Sequence, residues 1–88
     1  MYKIFFSEKA KVGLKKLKKE SPHLIKKLEK LLIEIEQHPT TGTGQIEQLK
    51  YLGTNTYSRR INKKHRIIYR VLDEVVEVII ISVFGHYE

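Results

Sequence analysis

In "HRIIYRVLDEVVEVIIISVF" (residues 65–84) the first eight residues alternate: Arg66, Ile68 and Arg70 project to one side of an extended chain, and Ile67, Tyr69 and Val71 to the other. Asp73-Glu74 interrupts the pattern at hairpin length, and an apolar, mostly β-branched run follows over residues 78–84. Upstream, "QIEQLKY" (45–51) and "TYSRRI" (56–61) are also strand-like, set off by "LGTN" (52–55) and "NKK" (62–64). Connections this short force antiparallel neighbours, so the second half of the chain predicts an antiparallel meander of three or four strands.

The first half changes period. "YKIFF" (2–6) predicts a strand, and Ser7 is placed to cap a helix over 8–20, where Ala10, Leu14 and Leu17 recur at helical spacing among lysines. Ser21-Pro22 predicts a restart, with Ser as the cap and Pro at the first helical position. Leu24, Ile25, Leu28, Leu31, Leu32 and Ile35 then form one apolar face that stops at His38-Pro39. The expectation is an α+β fold: an N-terminal strand, an αα-hairpin and the meander, with both helices on one face of a twisted sheet. "TTGTGQ" (40–45) is a glycine-containing loop without the Lys-Ser/Thr of a nucleotide-binding loop.

Eighty-eight residues predict a single domain, 1–88, with a thin core. The absence of cysteine excludes disulfides, thiol catalysis and cysteine-ligated metal. No metal or cofactor is expected from the remaining residues. The opening is too short for a secretory apolar region and no stretch is long enough to cross a membrane, so a cytoplasmic location without membrane contact is expected.

A net charge of +7 points to an anionic partner. Between residues 48 and 72 lie Lys50, Arg59, Arg60, Lys63, Lys64, Arg66 and Arg70, with no acidic residue and with all four arginines of the chain. The planar guanidinium binds phosphate bidentately where lysine acts as a point charge. Tyr51 and Tyr57 are interleaved, as in surfaces that bind single-stranded RNA. Glu47 stands at the edge of this run. Beside Arg66 and His86 it completes a set suited to cleaving RNA without metal: a carboxylate to take the 2′-hydroxyl proton, a guanidinium to steady the phosphate, and an imidazole to protonate the departing 5′-oxygen. Strand parity puts Ser82, Phe84 and His86 on one face, and groups His65 with Ile67 and Tyr69 in a structural role. His23 and His38 look incidental.

At "GTGQIEQLK" (42–50), "YSRRINKKHRIIYRV" (57–71) and the terminal "HY" (86–87), the chain resembles the YoeB/Txe family of toxins, within the RelE-like group of bacterial toxin–antitoxin systems. The resemblance implies a RelE-like fold and a toxin that cuts mRNA in the A site of the 70S ribosome. It also implies silencing by a cognate antitoxin of the YefM/Axe kind, through an acidic, partly disordered segment. It assigns the general base to Glu47, phosphate stabilisation to Arg66, the general acid to His86, and orientation of the phosphate or base stacking to Tyr87. Arg60 becomes an RNA or ribosome contact, and Lys50 matches a lysine of the family motif, although parity turns it away from Glu47. Arg59, Lys63, Lys64 and Arg70 join them as RNA- or ribosome-binding candidates.

Departures from the family pattern are Ile46 and Gln48, where prolines usually flank the glutamate, Asn55-Thr56-Tyr57 ahead of Ser-Arg-Arg, and the extra Glu88. Two other readings stay open on the sequence: a RelE-like toxin acting by non-catalytic binding of a target such as gyrase, and a basic RNA-binding regulator. These residues also leave open whether the chain forms a homodimer.

Overall fold

The computed structural model describes residues 1–85. Strand β1 (Lys3–Phe6) leads into helix α1 (Glu8–Glu20), a 3₁₀ turn (Pro22–Leu24) and helix α2 (Ile25–Gln37). Strands β2 (Glu47–Gln48), β3 (Thr56–Arg60), β4 (Arg66–Leu72) and β5 (Glu77–Ser82) follow. They form one five-stranded sheet in the order β1-β5-β4-β3-β2, with β2 to β5 as the expected antiparallel meander. The helical hairpin carries the chain away from β1, which pairs in parallel with β5 from Lys3 opposite Glu77 to Phe6 opposite Ile80. The sheet is therefore mixed.

Both helices cover one face. Ile67, Tyr69 and Val71 of β4 and Val78 and Ile80 of β5 pack against Ala10, Leu17, Leu28, Leu31 and Ile35, as the two periodicities predict. The small residues Ala10 and Gly13 on the buried side of α1 let it approach β5 closely; a Cβ on Gly13 would stand 3.1 Å from that of Phe84. Ser7 caps α1 by accepting from Ala10 N–H at 3.0 Å, and its hydroxyl donates to the Ile81 carbonyl at 2.9 Å. One side chain thus starts the helix and ties it to β5.

Three local expectations are corrected. Ser21 makes no side-chain capping bond; Pro22 opens a 3₁₀ turn that precedes α2, and Ser21 contributes its carbonyl to Leu24 N–H instead. The strand expected over 45–51 shrinks to two residues, because Leu49 turns into burial and the chain coils into the 3₁₀ turn Lys50–Leu52, closed by Gly53 at φ +118°. Between β4 and β5 the register slips: Ile68 pairs with Ser82 but Tyr69 with Ile80, so Ile81 is a bulge that re-aims the end of β5. No helix among the described residues is long and apolar enough to cross a membrane.

Candidate active site

Residues directly opposite one another in an antiparallel pair share a face, as do residues two apart along a strand. Glu47 is opposite Ser58, and Arg60 is opposite Arg66. The register therefore places Glu47, Ser58, Arg60 and Arg66 on the same side of the sheet, away from the helices. Glu47, Arg60 and Arg66, with Gln45 and Ile46, line an open cleft of about 440 Å³. Among the described residues Glu47 forms no ion pair, so its carboxylate and the two guanidinium groups face the cleft unpaired with each other.

Underneath, the Ser58 hydroxyl oxygen and Arg60 Nε are buried without a partner among the described residues. Leaving such groups unsatisfied typically costs about 1–3 kcal/mol each. Ser58 is absent from the sequence-derived set. Its parity with Arg60 and its pairing with Glu47 were the available signal, and that pairing needs the register of a two-residue strand.

The loop that delivers Glu47 is held from the helix side by Arg59. This arginine, expected at RNA, is 0% exposed and is corrected to a structural role. Opposite Ile67 on β3, it points into the core, where its Nε donates to the Tyr69 hydroxyl (3.0 Å) and Nη1 to Glu34 (3.1 Å) and the Thr43 carbonyl (3.4 Å). Nη2 donates to the carbonyls of His38 (2.6 Å) and Thr41 (2.8 Å). A buried cation thus sits at the C-terminal end of α2, where the helix dipole favours it. The sequence signal was alternation in "YSRRI", which groups Arg59 with Tyr57 and Ile61. Tyr57 is likewise drawn inward, its ring 5.9 Å from that of Tyr69, rather than standing among phosphate ligands.

Glu34 closes the clasp. It accepts from Thr43 N–H at 2.8 Å and from the Thr43 hydroxyl at 2.7 Å. Those bonds, led by the backbone one and helped by Arg59, hold its carboxyl below the ordinary carboxylate range against an opposing push from burial. Burial raises the Tyr69 phenol, partly offset by Arg59. Gly44, at φ +94°, packs so closely on Arg59 and Leu31 that a Cβ would stand 3.2 Å from each, and its carbonyl accepts from Arg60 N–H at 2.6 Å. The loop is therefore pinned to β3 just before it reaches Glu47.

The other cations separate. Lys63 and Lys64 are exposed in the β3–β4 turn, beside the Arg60–Arg66 pair. Arg70 is partly engaged, donating to Thr56 Oγ1 (3.3 Å) and the Leu52 carbonyl (3.0 Å). Lys50, which lies in the 3₁₀ turn beyond β2, lines a different cleft with Gln48, Gly53, Thr54 and Asn55. At the other end of β4, Arg66 N–H donates to the Gly85 carbonyl at 3.2 Å, so the last described residue lies alongside Arg66. His65 is buried as expected. Ser82 and Phe84 line one groove beside α1, with Val12 and Gly13. His86, Tyr87 and Glu88 lie outside the described residues.

A family model described as "YoeB-like toxin of bacterial type II toxin-antitoxin system" matches residues 6–87. The chain belongs to the YoeB family. Toxin YoeB of Synechocystis sp. is 37% identical over 65 residues, covering 74% of this chain and 73% of that protein. Two solved Staphylococcus aureus structures agree in fold. The chain of a heterotetrameric YoeB–YefM toxin–antitoxin complex is 35% identical with a TM-score of 0.81, 99% of each chain being covered. A YoeB dimer is 36% identical with a TM-score of 0.84, covering 98% of each. The protein is thus a YoeB-family toxin of a type II toxin–antitoxin system, and its fold is that of YoeB and RelE-like toxins.

Proposed function

We propose that this YoeB-family toxin is a ribosome-dependent endoribonuclease that cuts mRNA in the A site and thereby inhibits translation. The observation that carries the reading is the cleft in which one carboxylate, Glu47, faces two arginines, Arg60 and Arg66, in adjacent register. Glu47 removes the proton of a 2′-hydroxyl, whose oxygen attacks the adjacent phosphorus. Arg66, with Arg60, stabilises the charge that builds on the phosphate. The bond from phosphorus to the 5′-oxygen breaks, and His86 gives that oxygen a proton. The products are a 2′,3′-cyclic phosphate, which water can open to a 3′-phosphate, and a 5′-hydroxyl. Tyr87 orients the scissile phosphate or stacks on a base.

Each proton transfer contributes roughly 10²–10⁴ in rate, and the scheme draws both from side chains. Lys63 and Lys64 supply sequence-independent attraction to RNA beside the cleft, with Lys50 and Arg70 as more distant contacts. The antitoxin partner follows from the YoeB–YefM complexes among its relatives: an acidic, partly disordered segment would fold onto the basic surface and block the cleft. The S. aureus YoeB dimer makes self-association a second assembly to expect.

Because the attack comes from the 2′-hydroxyl, an mRNA with a single 2′-deoxy substitution at the cut site resists cleavage on the ribosome. Undiminished cleavage of that substrate rules the mechanism out.

A further inference from the structure

We infer that His65 is a positioning residue for the proposed reaction, fixing Phe84 and Gly85, the residues that lead in sequence into His86 and Tyr87, alongside Arg66. The inference rests on the endoribonuclease reading, which gives His86 and Tyr87 their work.

His65 is 1% exposed, and its backbone is held on both sides: its carbonyl accepts from Ile61 N–H (2.9 Å) and Asn62 N–H (3.2 Å), and its N–H donates to Asn62 Oδ1 (2.7 Å). From this rigid turn the imidazole packs on the Phe84 ring, with centroids 4.6 Å apart, and its Nδ1 accepts from Gly85 N–H at 2.8 Å. An accepting Nδ1 needs its lone pair, so this is the neutral ring with the proton on Nε2. The next residue, Arg66, donates its N–H to the Gly85 carbonyl at 3.2 Å. Both polar groups of the Gly85 backbone are thus taken by two consecutive residues, one of which lines the cleft. Lys16 Nζ also stands 5.8 Å from the Phe84 ring centroid, and Gly13 leaves room for the backbone.

Strand β5 ends at Ser82, so a side chain takes over the ladder's task at Gly85. There φ is +79°, a conformation that favours glycine, and no described atom lies within 4 Å of where a Cβ would be. A general acid must meet the leaving oxygen within hydrogen-bond reach, and a misplacement of about 1 Å can cost 10²-fold in rate. The grip on Gly85 sets the origin of that reach from the residue adjoining the phosphate-binding arginine.

The test compares the full-length wild type with His65→Phe, which keeps a ring for Phe84 but has no acceptor, and His65→Asn, whose Oδ1 stands near the Nδ1 position. Cleavage of ribosome-bound mRNA is read as kcat and KM, and amide exchange at Gly85 is read in the uncomplexed protein. His65→Phe lowers kcat by about 10- to 100-fold with KM within about twofold, and loses protection at Gly85; His65→Asn restores both. An active wild type with an undiminished His65→Phe kcat, or a wild-type Gly85 amide exchanging as in an unfolded chain, overturns the inference. If His65→Phe does not fold, His65→Gln replaces it, because its longer side chain displaces the acceptor; equal kcat for Gln and Asn variants then overturns it. A wild type that leaves mRNA uncut while Gly85 stays protected instead overturns the endoribonuclease reading, and the positioning role with it.

Discussion

Arg60 and Arg66 stand directly opposite each other across β3 and β4, two like charges on the face that also carries Glu47. Such a pair lowers stability by roughly 0.2–1 kcal/mol unless an anion lies between the two groups. The arrangement suits binding better than folding. Arg60→Gln is expected to leave stability unchanged or raise it by up to about 1 kcal/mol, while weakening RNA binding and flattening its log–log salt dependence by about 0.7. Thermal unfolding and RNA titrations at several salt concentrations check both halves, and a variant that binds RNA as tightly as the wild type contradicts the assignment.

Arg59 carries the opposite expectation. Replacing it with Met leaves the carbonyls of His38, Thr41 and Thr43, the Tyr69 hydroxyl and Glu34 without their common donor. Removing a buried donor and leaving its acceptors unsatisfied costs roughly 1–3 kcal/mol. Arg59→Lys recovers little of this, since an ammonium on a longer stem cannot span the same fork of acceptors. Denaturant titration measures the loss; a stable variant with weakened RNA binding would return Arg59 to the surface role expected from sequence.

The Glu34 clasp sets an acid limit. Its folded-state pKa lies below the ordinary 4.5, so its contribution is fully present above that value and is lost as pH falls through the lowered folded value. Glu34→Gln should therefore reduce stability at neutral pH and make the decline below pH 4.5 shallower than in wild type. Unfolding curves from neutral to acid pH give the comparison, and parallel declines would remove Glu34 from the account.

Gly44→Ala tests whether the loop aims Glu47. Its φ of +94° strains any side chain, and the new Cβ would crowd Arg59 and Leu31 at 3.2 Å. The variant should lose about 1 kcal/mol or more of stability and show a lower kcat, because the displaced loop carries Glu47, the proposed general base. Full cleavage activity in a measurably destabilised variant would show that the loop position is not critical.

How much of this was legible before the structure depends on range. Alternation in "HRIIYRVL" carried β4 and its two faces, and helical spacing carried α1 and α2, because both follow from local geometry and a single buried side. The parallel pairing of β1 with β5 was not legible, since a hairpin of two helices fixes which edge the strand reaches and leaves no mark in its own four residues. Arg59 was misread because its charge outweighed its parity with Tyr57 and Ile61. Of the proposed catalytic set, Glu47 and Arg66 share the cleft, a juxtaposition that their separation along the chain could not reveal. Ser58 went unnoticed because its interest lies in being buried without a partner among the described residues.

The central claim is that Glu47 acts as the general base of an mRNA-cleaving site. Primer-extension mapping of mRNA on ribosomes, with wild type and Glu47→Ala at matched protein levels, tests it most directly. The account predicts discrete A-site cuts with the wild type, bearing a 2′,3′-cyclic or 3′-phosphate upstream and a 5′-hydroxyl downstream, and a loss of about 10²-fold or more with Glu47→Ala. Cuts of equal intensity with both proteins, or no cuts with the wild type, would contradict it.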